Sequence, residues 1–201
     1  MQHEFNILRL KGKEIFPYIS DLAKLRIAVF KEYPYLYHGN LEYEKNYLKT
    51  YTACSESIMI LVIDKQRIVG ASTAIPLEFE TEACIKPFLD YQMKIQDIFY
   101  LGESVLLPDY RGKNIYRRFF HERESAAMEY GSKIATFCAV ERSLDDPRRP
   151  QGWVSLDKVW QHFNYKKHPT LCAYYEWKEL GEETKSAKSL VFWIKNLCTY
   201  C

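Results

Sequence analysis

The strongest constraint on the fold lies mid-chain, where an apolar segment runs directly into a basic turn. Residues 100–107 read as a strand that stops at Pro108, and a helix is predicted to begin at Asn114, just after Gly112. The first N–H groups of a helix lack intrahelical acceptors, and the helix dipole adds positive potential there. A strand, a turn and a helix N-terminus in this order predict a phosphate-binding site. Four cations surround the turn: Arg111, Lys113, Arg117 and Arg118.

Two common phosphate-binding patterns are absent. The chain has neither Gly-x-x-x-x-Gly-Lys-Ser/Thr nor Gly-x-Gly-x-x-Gly, so the P-loop and dinucleotide-binding interpretations fail. The turn instead resembles the Arg/Gln-x-x-Gly-x-Gly/Ala loop with which the GNAT family of N-acetyltransferases binds the pyrophosphate of acetyl-CoA. Arg111 takes the first position of that loop, Asn114 stands where its first glycine is usual, and Tyr116 where its second glycine or alanine is usual.

Both departures from the family pattern have structural consequences. Asparagine tolerates left-handed backbone better than most residues, so Asn114 is an acceptable substitute for glycine. The ring of Tyr116 either crowds the pyrophosphate or points away from it. The resemblance implies that the turn holds acetyl-CoA as co-substrate through Arg111, Gly112, Lys113, Asn114, Ile115 and Tyr116.

The resemblance extends over residues 102–197. The segment around Gly102-Glu103-Ser104 is similar to the family's fourth strand, residues 137–140 to its fifth, and residues 160–165 stand where the family often has Tyr-x-x-x-Gly-Phe. Uncharacterised bacterial members of about this length carry the same features. The resemblance implies that the backbone of Leu106 binds the pantetheine amides and that Trp160, in place of the family's proton-donating tyrosine, packs against the cofactor or the substrate.

Acetyl transfer to an amine requires a proton acceptor for the amine and stabilisation of the leaving thiolate. Glu103 is the one carboxylate in residues 100–107. It is interpreted as a general base, direct or through water, or as an anchor for the amine; the alternative is a buried glutamate bonded to a neighbour such as Ser104. The Trp160 indole supplies no proton at neutral pH, so either another tyrosine, such as Tyr116 or Tyr165, is the acid or the thiolate leaves unassisted.

Several other side chains were weighed for function. Cys138 is predicted to be a small buried residue rather than a nucleophile, and neither His121 nor His162 has a matched nucleophile for a hydrolase triad. The row Glu78, Glu80 and Glu82 either attracts a cationic amine or is a solvated edge. Arg142, Arg148 and Arg149 either bind an acidic group of the acceptor or are surface charges. Cys198-x-x-Cys201 is interpreted as a terminal tail rather than a zinc or redox pair.

Composition narrows the class of protein. With 201 residues, 47% hydrophobic and 27% charged, one globular domain spanning residues 1–201 is expected. The net charge of +2 argues against a nucleic-acid-binding surface, despite the basic patches at 142–149 and 166–168. No apolar run is long enough for a bilayer, and residues 1–4 lack a secretion pattern. We therefore expect a cytoplasmic protein with reduced thiols, no membrane contact and no metal site.

The predicted order of elements is that of the GNAT fold: a mixed, mostly antiparallel α/β sheet with splayed fourth and fifth strands and helices on both faces. The predicted strands are 4–10, 57–64, 67–76, 100–107, 134–140 and 170–178, the helices are 15–30, 41–54, 114–130 and 155–163, and residues 78–97 form an insertion with a short helix. Residues 186–197 are an amphipathic aromatic segment and a candidate homodimer surface.

The resemblance implies an N-acetyltransferase that moves an acetyl group directly, in a ternary complex, to a primary amine. The acceptor is a small metabolite, an amino acid or a protein N-terminus. The alternative is a protein that binds acyl-CoA without turnover, which Asn114, Tyr116 and Trp160 motivate.

Overall fold

The computed structural model describes residues 5–197. Within that part the chain forms eight strands and five α-helices, which are, in order, β1 (Asn6–Lys11), α1 (Ile19–Phe30), α2 (Leu41–Ala53), β2 (Ile58–Asp64), β3 (Arg67–Pro76), α3 (Glu82–Asp90), β4 (Ile98–Tyr100), β5 (Ser104–Leu106), α4 (Ile115–Tyr130), β6 (Ile134–Val140), α5 (Asp157–His162), β7 (Lys166–Trp177) and β8 (Ser186–Asn196).

The strands form one mixed sheet in the order β1-β2-β3-β4-β6-β8-β7, and β5 pairs with β3 beyond the end of β4. The β4–β6 pair is parallel, whereas the other named pairs are antiparallel. Helices cover both faces, so the predicted mixed, mostly antiparallel α/β architecture is confirmed.

Each face of the sheet has its own apolar core. Successive strand residues point to opposite faces, so neighbours in one strand enter different cores. Val105 packs with the apolar residues of α1, α2 and α3, whereas Leu106 packs with those of α4. A cleft opens between these two layers, with the end of α1 on one side and α4 and α5 on the other.

The predicted strand 100–107 is two strands separated by residues 101–103. The Leu101 N–H donates to the Thr136 carbonyl at 2.7 Å, the last bond toward β6, and the Gly102 N–H then donates to Thr73 at 3.0 Å. A Cβ at Gly102 would lie 2.2 Å from the Tyr51 hydroxyl, so this break requires glycine. After it, β5 pairs with β3 alone and separates from β6, which gives the predicted splay.

The C-terminal segment is the largest difference from the predicted elements. Ser186–Asn196 is not a peripheral segment but strand β8, inserted between β6 and β7. Four consecutive residues, Leu190 to Trp193, are buried on alternating faces, because a central strand is covered on both sides. The predicted helix 15–30 also begins later, at Ile19, after a 3-10 segment that contains Pro17.

Candidate active site

A cleft of about 700 Å³ opens where β5 and β6 separate. Its walls come from the end of α1, from β5, from the turn before α4, from β6 and from α5. Its lining residues include Glu103, Leu106, Arg111, Tyr116, Arg123 and Trp160. The cleft therefore contains both the turn before α4, which is predicted to bind phosphate, and the predicted base Glu103.

The edge of β5 that faces the cleft carries backbone groups that do not bond to β3. The Thr73 N–H donates to the Glu103 carbonyl (3.1 Å) and the Leu107 N–H to the Val69 carbonyl (2.9 Å), so odd-numbered residues bond to β3. Backbone groups alternate in direction along an antiparallel pair, so those of Ser104 and Leu106 point into the cleft. The Leu106 carbonyl accepts from Arg111 Nε at 3.2 Å. This edge can bind an extended amide-bearing ligand.

The turn before α4 presents a row of N–H groups. Gly112 (φ 74°) and Asn114 (φ 60°) both adopt left-handed backbone, which explains why an asparagine can stand at a usual glycine position. The first helical bond runs from the Arg118 N–H to the Asn114 carbonyl at 3.3 Å. In the part of the chain described, the N–H groups of residues 112–117 have no protein acceptor. Such a cluster suits a phosphate.

The four cations of the turn are not equivalent. Arg111 and Arg117 line the cleft, and Arg111 pairs with Glu32 at 2.9 Å. Arg118 turns outward to Glu122 (2.7 Å), as expected for a solvated helix face. The ammonium of Lys113 lies 5.1 Å from the Tyr110 ring centre, and Lys113 is not among the residues that line the cleft.

The ring of Tyr116 leaves the turn rather than crowding it. It packs edge-on against Phe120, with centroids 5.2 Å apart, and its hydroxyl accepts a hydrogen bond from Trp160 Nε1 at 3.0 Å. This bond links α4 to α5 in the wall of the cleft. Burial raises the pKa of Tyr116, so the hydroxyl keeps its proton at neutral pH. Trp160 also packs edge-on against Phe137, at 5.2 Å.

The carboxylate of Glu103 is held by Arg26 of α1, on the side of β5 that faces away from α4. Its Oε2 accepts from Arg26 Nη1 at 2.6 Å, and Arg26 Nε donates to Glu44 at 2.5 Å. Burial alone would lower the pKa of Arg26, but the two carboxylates raise it overall. Glu103 is 7% exposed, and its Oε1 has no hydrogen-bond partner within residues 5–197. Ser104, the predicted alternative partner, bonds to Ser72 instead, at 2.9 Å.

Glu80 is buried, so the interpretation of residues 78–82 as a solvated edge is wrong at this position. Its Oε1 accepts from the hydroxyls of Tyr47 (3.2 Å) and Tyr51 (3.0 Å), and the Thr81 N–H donates to Oε2 at 2.9 Å. Burial raises the pKa of Glu80. Unlike Glu103, this carboxylate has a partner on each oxygen.

Arg123 is a second buried guanidinium that lines the cleft. It is 2% exposed on α4, its Nε donates to the Phe119 carbonyl at 3.2 Å, and its Nη1 reaches the Glu103 carbonyl at 3.4 Å. Its guanidinium carbon also lies 4.9 Å from the Phe120 ring centre. No carboxylate in residues 5–197 forms an ion pair with it. Burial lowers the pKa of Arg123.

Other candidates from the sequence have structural roles. Cys138 is buried at 3.1 Å from the Tyr100 hydroxyl, and burial raises the pKa of its thiol to about 12, which disfavours a nucleophile. Arg142 and Arg148 both pair with buried Glu179 at 2.5 Å. These two arginines therefore anchor the loop after β6 and are not free to bind an acceptor.

Neither His121 nor Arg149 is among the residues that line the cleft. His121 is largely exposed on α4, and Arg149 packs its guanidinium 5.2 Å from the Trp153 ring centre. Cys198 and Cys201 lie outside the described residues. Within residues 5–197, no group of three or more His, Cys, Asp or Glu side chains could hold a metal ion, and no helix is long and apolar enough to cross a membrane.

Sequence reasoning missed the two buried arginines. Arg26 interrupts the apolar stripe of α1, and Arg123 interrupts the stripe of α4 between Phe119 and Ala126. A charged residue at a helical core position is the sequence feature that could have identified both, because such a residue needs a buried partner or a ligand.

No protein-family model and no curated protein matches the chain. Solved structures do. A ribosomal-protein-alanine N-acetyltransferase from Brucella melitensis is 13% identical with a TM-score of 0.59, covering 94% of this chain and 99% of its own. An acetyltransferase of the GNAT family from Staphylococcus aureus is 14% identical with a TM-score of 0.57, covering 97% and 100%. This chain has the GNAT fold. The polyamine N-acetyltransferase of Drosophila melanogaster is likewise similar at 9% identity and a TM-score of 0.57, covering 96% and 100%.

The structural matches confirm the resemblance at the level of the GNAT fold. At these identities the fold is shared while the side chains at most positions differ. The chemistry of the cleft therefore has to be argued from the residues of this chain.

Proposed function

We propose that this protein is an N-acetyltransferase that moves an acetyl group from acetyl-CoA to a primary amine within a ternary complex. The observation that carries the proposal is the cleft between β5 and β6. It joins a row of free N–H groups at one end to a buried carboxylate with an open oxygen at the other.

The donor side of the cleft fits acetyl-CoA in two ways. The N–H groups of residues 112–117 suit the pyrophosphate, with Arg111 and Arg117 nearby. The cleft-facing backbone of Ser104 and Leu106 suits the amides of pantetheine. The thioester supplies an activated acyl group, and the protein's contribution is to hold it beside the amine.

Glu103 is the proposed base and ammonium anchor. Arg26 fixes its Oε2, its Oε1 is buried and unpartnered within residues 5–197, and Glu103 is among the residues that line the cleft. A protonated amine that donates to Oε1 satisfies the free oxygen and can lose its proton there, directly or through water. Phe30, Tyr33 and Tyr35 form the adjoining wall, so an apolar or aromatic chain on the amine suits this side.

Tyr116 is the proposed proton donor to the leaving thiolate. Trp160 occupies the family's tyrosine position, and its indole N–H donates to the Tyr116 hydroxyl, so a hydroxyl from α4 lies beside that position. Because Tyr116 accepts this bond, its own proton is free to be donated elsewhere. Tyr165, the other candidate, already donates to Glu124 at 2.9 Å, which leaves Tyr116 as the better assignment.

The test begins with calorimetric titration of acetyl-CoA and of desacetyl-CoA into the wild-type protein. We expect micromolar binding of both, followed by turnover in a panel that includes arylalkylamines, polyamines and peptides with a free N-terminus. The fold leaves the acceptor open, since the structural relatives include a ribosomal-protein-alanine and a polyamine acetyltransferase. Absence of any acetyl-CoA binding would refute the proposal.

A second candidate function is acyl-CoA binding without turnover. It is favoured by the Tyr116–Trp160 hydrogen bond, which joins two residues that line the cleft and has to coexist with the ligand or open for it. Micromolar binding of acetyl-CoA with no acetylated product across the whole amine panel would support this function over the transferase.

A further inference from the structure

Arg123 has an unbalanced positive charge inside the cleft. It is 2% exposed, and the acceptors recorded for it are the backbone carbonyls of Phe119 and Glu103. Carbonyl oxygens supply partial charge, whereas a buried guanidinium is best stabilised by an anion in bidentate contact. Because Arg123 also lines the cavity, a ligand can bring that anion.

The position of Arg123 indicates which ligand carries the anion. Arg123 belongs to α4, on the side of β5 that holds Leu106 and the phosphate turn, whereas the Glu103 carboxylate lies with Arg26 of α1 on the other side. The anion therefore arrives with the acyl donor and not with the acceptor amine.

The acyl end of the donor falls close to Arg123. Arg123 lies roughly 12 Å along the helix axis from the start of α4. Glu103 lies roughly 10 Å along the strand from Leu106, in the direction away from the turn. The helix runs back along the strand, since Arg123 Nη1 reaches the Glu103 carbonyl. A donor whose pyrophosphate lies at the turn and whose pantetheine follows β5 thus places its acyl group at this level.

We propose that Arg123 binds the terminal carboxylate of a dicarboxylic acyl-CoA, such as malonyl-CoA or succinyl-CoA, and that this donor class is preferred over acetyl-CoA. The inference rests on the proposed acyl-CoA-dependent transfer and names its donor. The amine nitrogen forms a bond to the thioester carbonyl carbon, the carbon–sulfur bond breaks, and the amine proton balances the departing thiolate. The product is an amide that keeps one free carboxylate.

Binding tests the proposal without relying on turnover. Acetyl-CoA, succinyl-CoA and malonyl-CoA are titrated calorimetrically into the wild type, Arg123→Gln and Arg123→Lys. We expect a dicarboxylic donor to bind the wild type about tenfold or more tightly than acetyl-CoA, the scale of one charge-assisted pair. Arg123→Gln should lose that difference while still binding acetyl-CoA, and Arg123→Lys should keep part of it.

The outcomes separate this inference from the proposed function. If no CoA ester binds the wild type, the transferase proposal fails and the inference fails with it. If acetyl-CoA binds as tightly as both dicarboxylic donors, the donor preference is overturned while the transferase proposal stands. If Arg123→Gln weakens all donors equally, Arg123 supports the site in general and does not select the acyl group. Should Arg123→Gln fail to fold, the wild-type comparison alone decides.

Discussion

On the α1 and α2 side of the cleft, two carboxylates share one guanidinium, whereas on the α4 side one guanidinium forms no ion pair with a carboxylate of residues 5–197. Glu44 and Glu103 both contact Arg26, and Oε1 of Glu103 remains open. Within residues 5–197, the hydrogen bonds of Arg123 go to backbone carbonyls. One side is thus ready for a cation and the other for an anion, with strand β5 between them.

The pKa directions of the two arginines express the same contrast. Both are buried, so desolvation lowers the pKa of each. At Arg26 the neighbouring carboxylates reverse that effect and raise the pKa, whereas at Arg123 burial prevails and lowers it. Arg26 is therefore part of the framework of the protein, and Arg123 is the group whose charge is left for a ligand.

The largest expected difference between the two sides is the loss of unfolding free energy when each guanidinium is removed in turn. Arg26→Met leaves two buried carboxylates facing each other and should cost about 3–5 kcal/mol of unfolding free energy. Arg123→Met leaves no buried charge behind and should cost about 1 kcal/mol or less, because relief of desolvation offsets the lost bonds. Urea unfolding of both variants measures the difference. Equal costs would show that Arg123 is as structural as Arg26.

The open oxygen of Glu103 is tested by Glu103→Gln, which keeps the shape of the side chain and removes the base. Transfer of the acyl group should fall by about a hundredfold in kcat/KM, the usual range for a general base. Glu80→Gln is the matched control, because Glu80 is as buried but has partners on both oxygens. An unchanged rate for Glu103→Gln would remove Glu103 from the role of base.

Tyr116→Phe tests the α4 side of the cleft, where the Tyr116 hydroxyl accepts a hydrogen bond from Trp160 of α5. We expect kcat to fall by roughly tenfold, because a thiolate needs less assistance than most leaving groups, while the affinity for acetyl-CoA stays the same or improves. Tyr165→Phe is the control, as that hydroxyl is bound to Glu124. A loss of affinity with kcat preserved would instead make Tyr116 a binding residue.

The donor side could be predicted from the sequence because it is local. Residues 104–116 run continuously from β5 through the turn to α4, so one stretch of sequence contains the free strand edge, the left-handed residues and the helix N-terminus. The break at Gly102 was missed because it depends on the Tyr51 hydroxyl, which comes from a different element.

The acceptor side could not be predicted in this way, because it is assembled from three elements. Arg26, Glu44 and Glu103 come from α1, α2 and the break before β5, and no local pattern relates them. Glu103 was identified as a candidate from its strand alone, but its partner was not. The position of β8 between β6 and β7 is likewise a long-range pairing that periodicity does not show.

The smallest expected effect concerns Asn114, which lies in the turn on the donor side of the cleft. Its φ of 60° and the φ of 66° at Asn164 place both asparagines in left-handed backbone, and only Asn114 is part of the turn and the cleft. Alanine at either position should cost about 1 kcal/mol of stability, because alanine lacks the short polar side chain that lets asparagine adopt left-handed backbone. Asn114→Gly should change stability by about 0.5 kcal/mol or less, because relief of left-handed strain opposes the greater freedom of the unfolded chain.

The two asparagines separate backbone strain from ligand contact. If the N–H groups of residues 112–117 hold the pyrophosphate, Asn114→Gly should strengthen acetyl-CoA binding by up to about threefold by clearing the side chain from the turn. Asn164→Ala should lower stability to the same extent as Asn114→Ala without altering that affinity, since Asn164 does not line the cleft. Equal changes of affinity at both sites would mean that stability, and not access to the turn, controls binding.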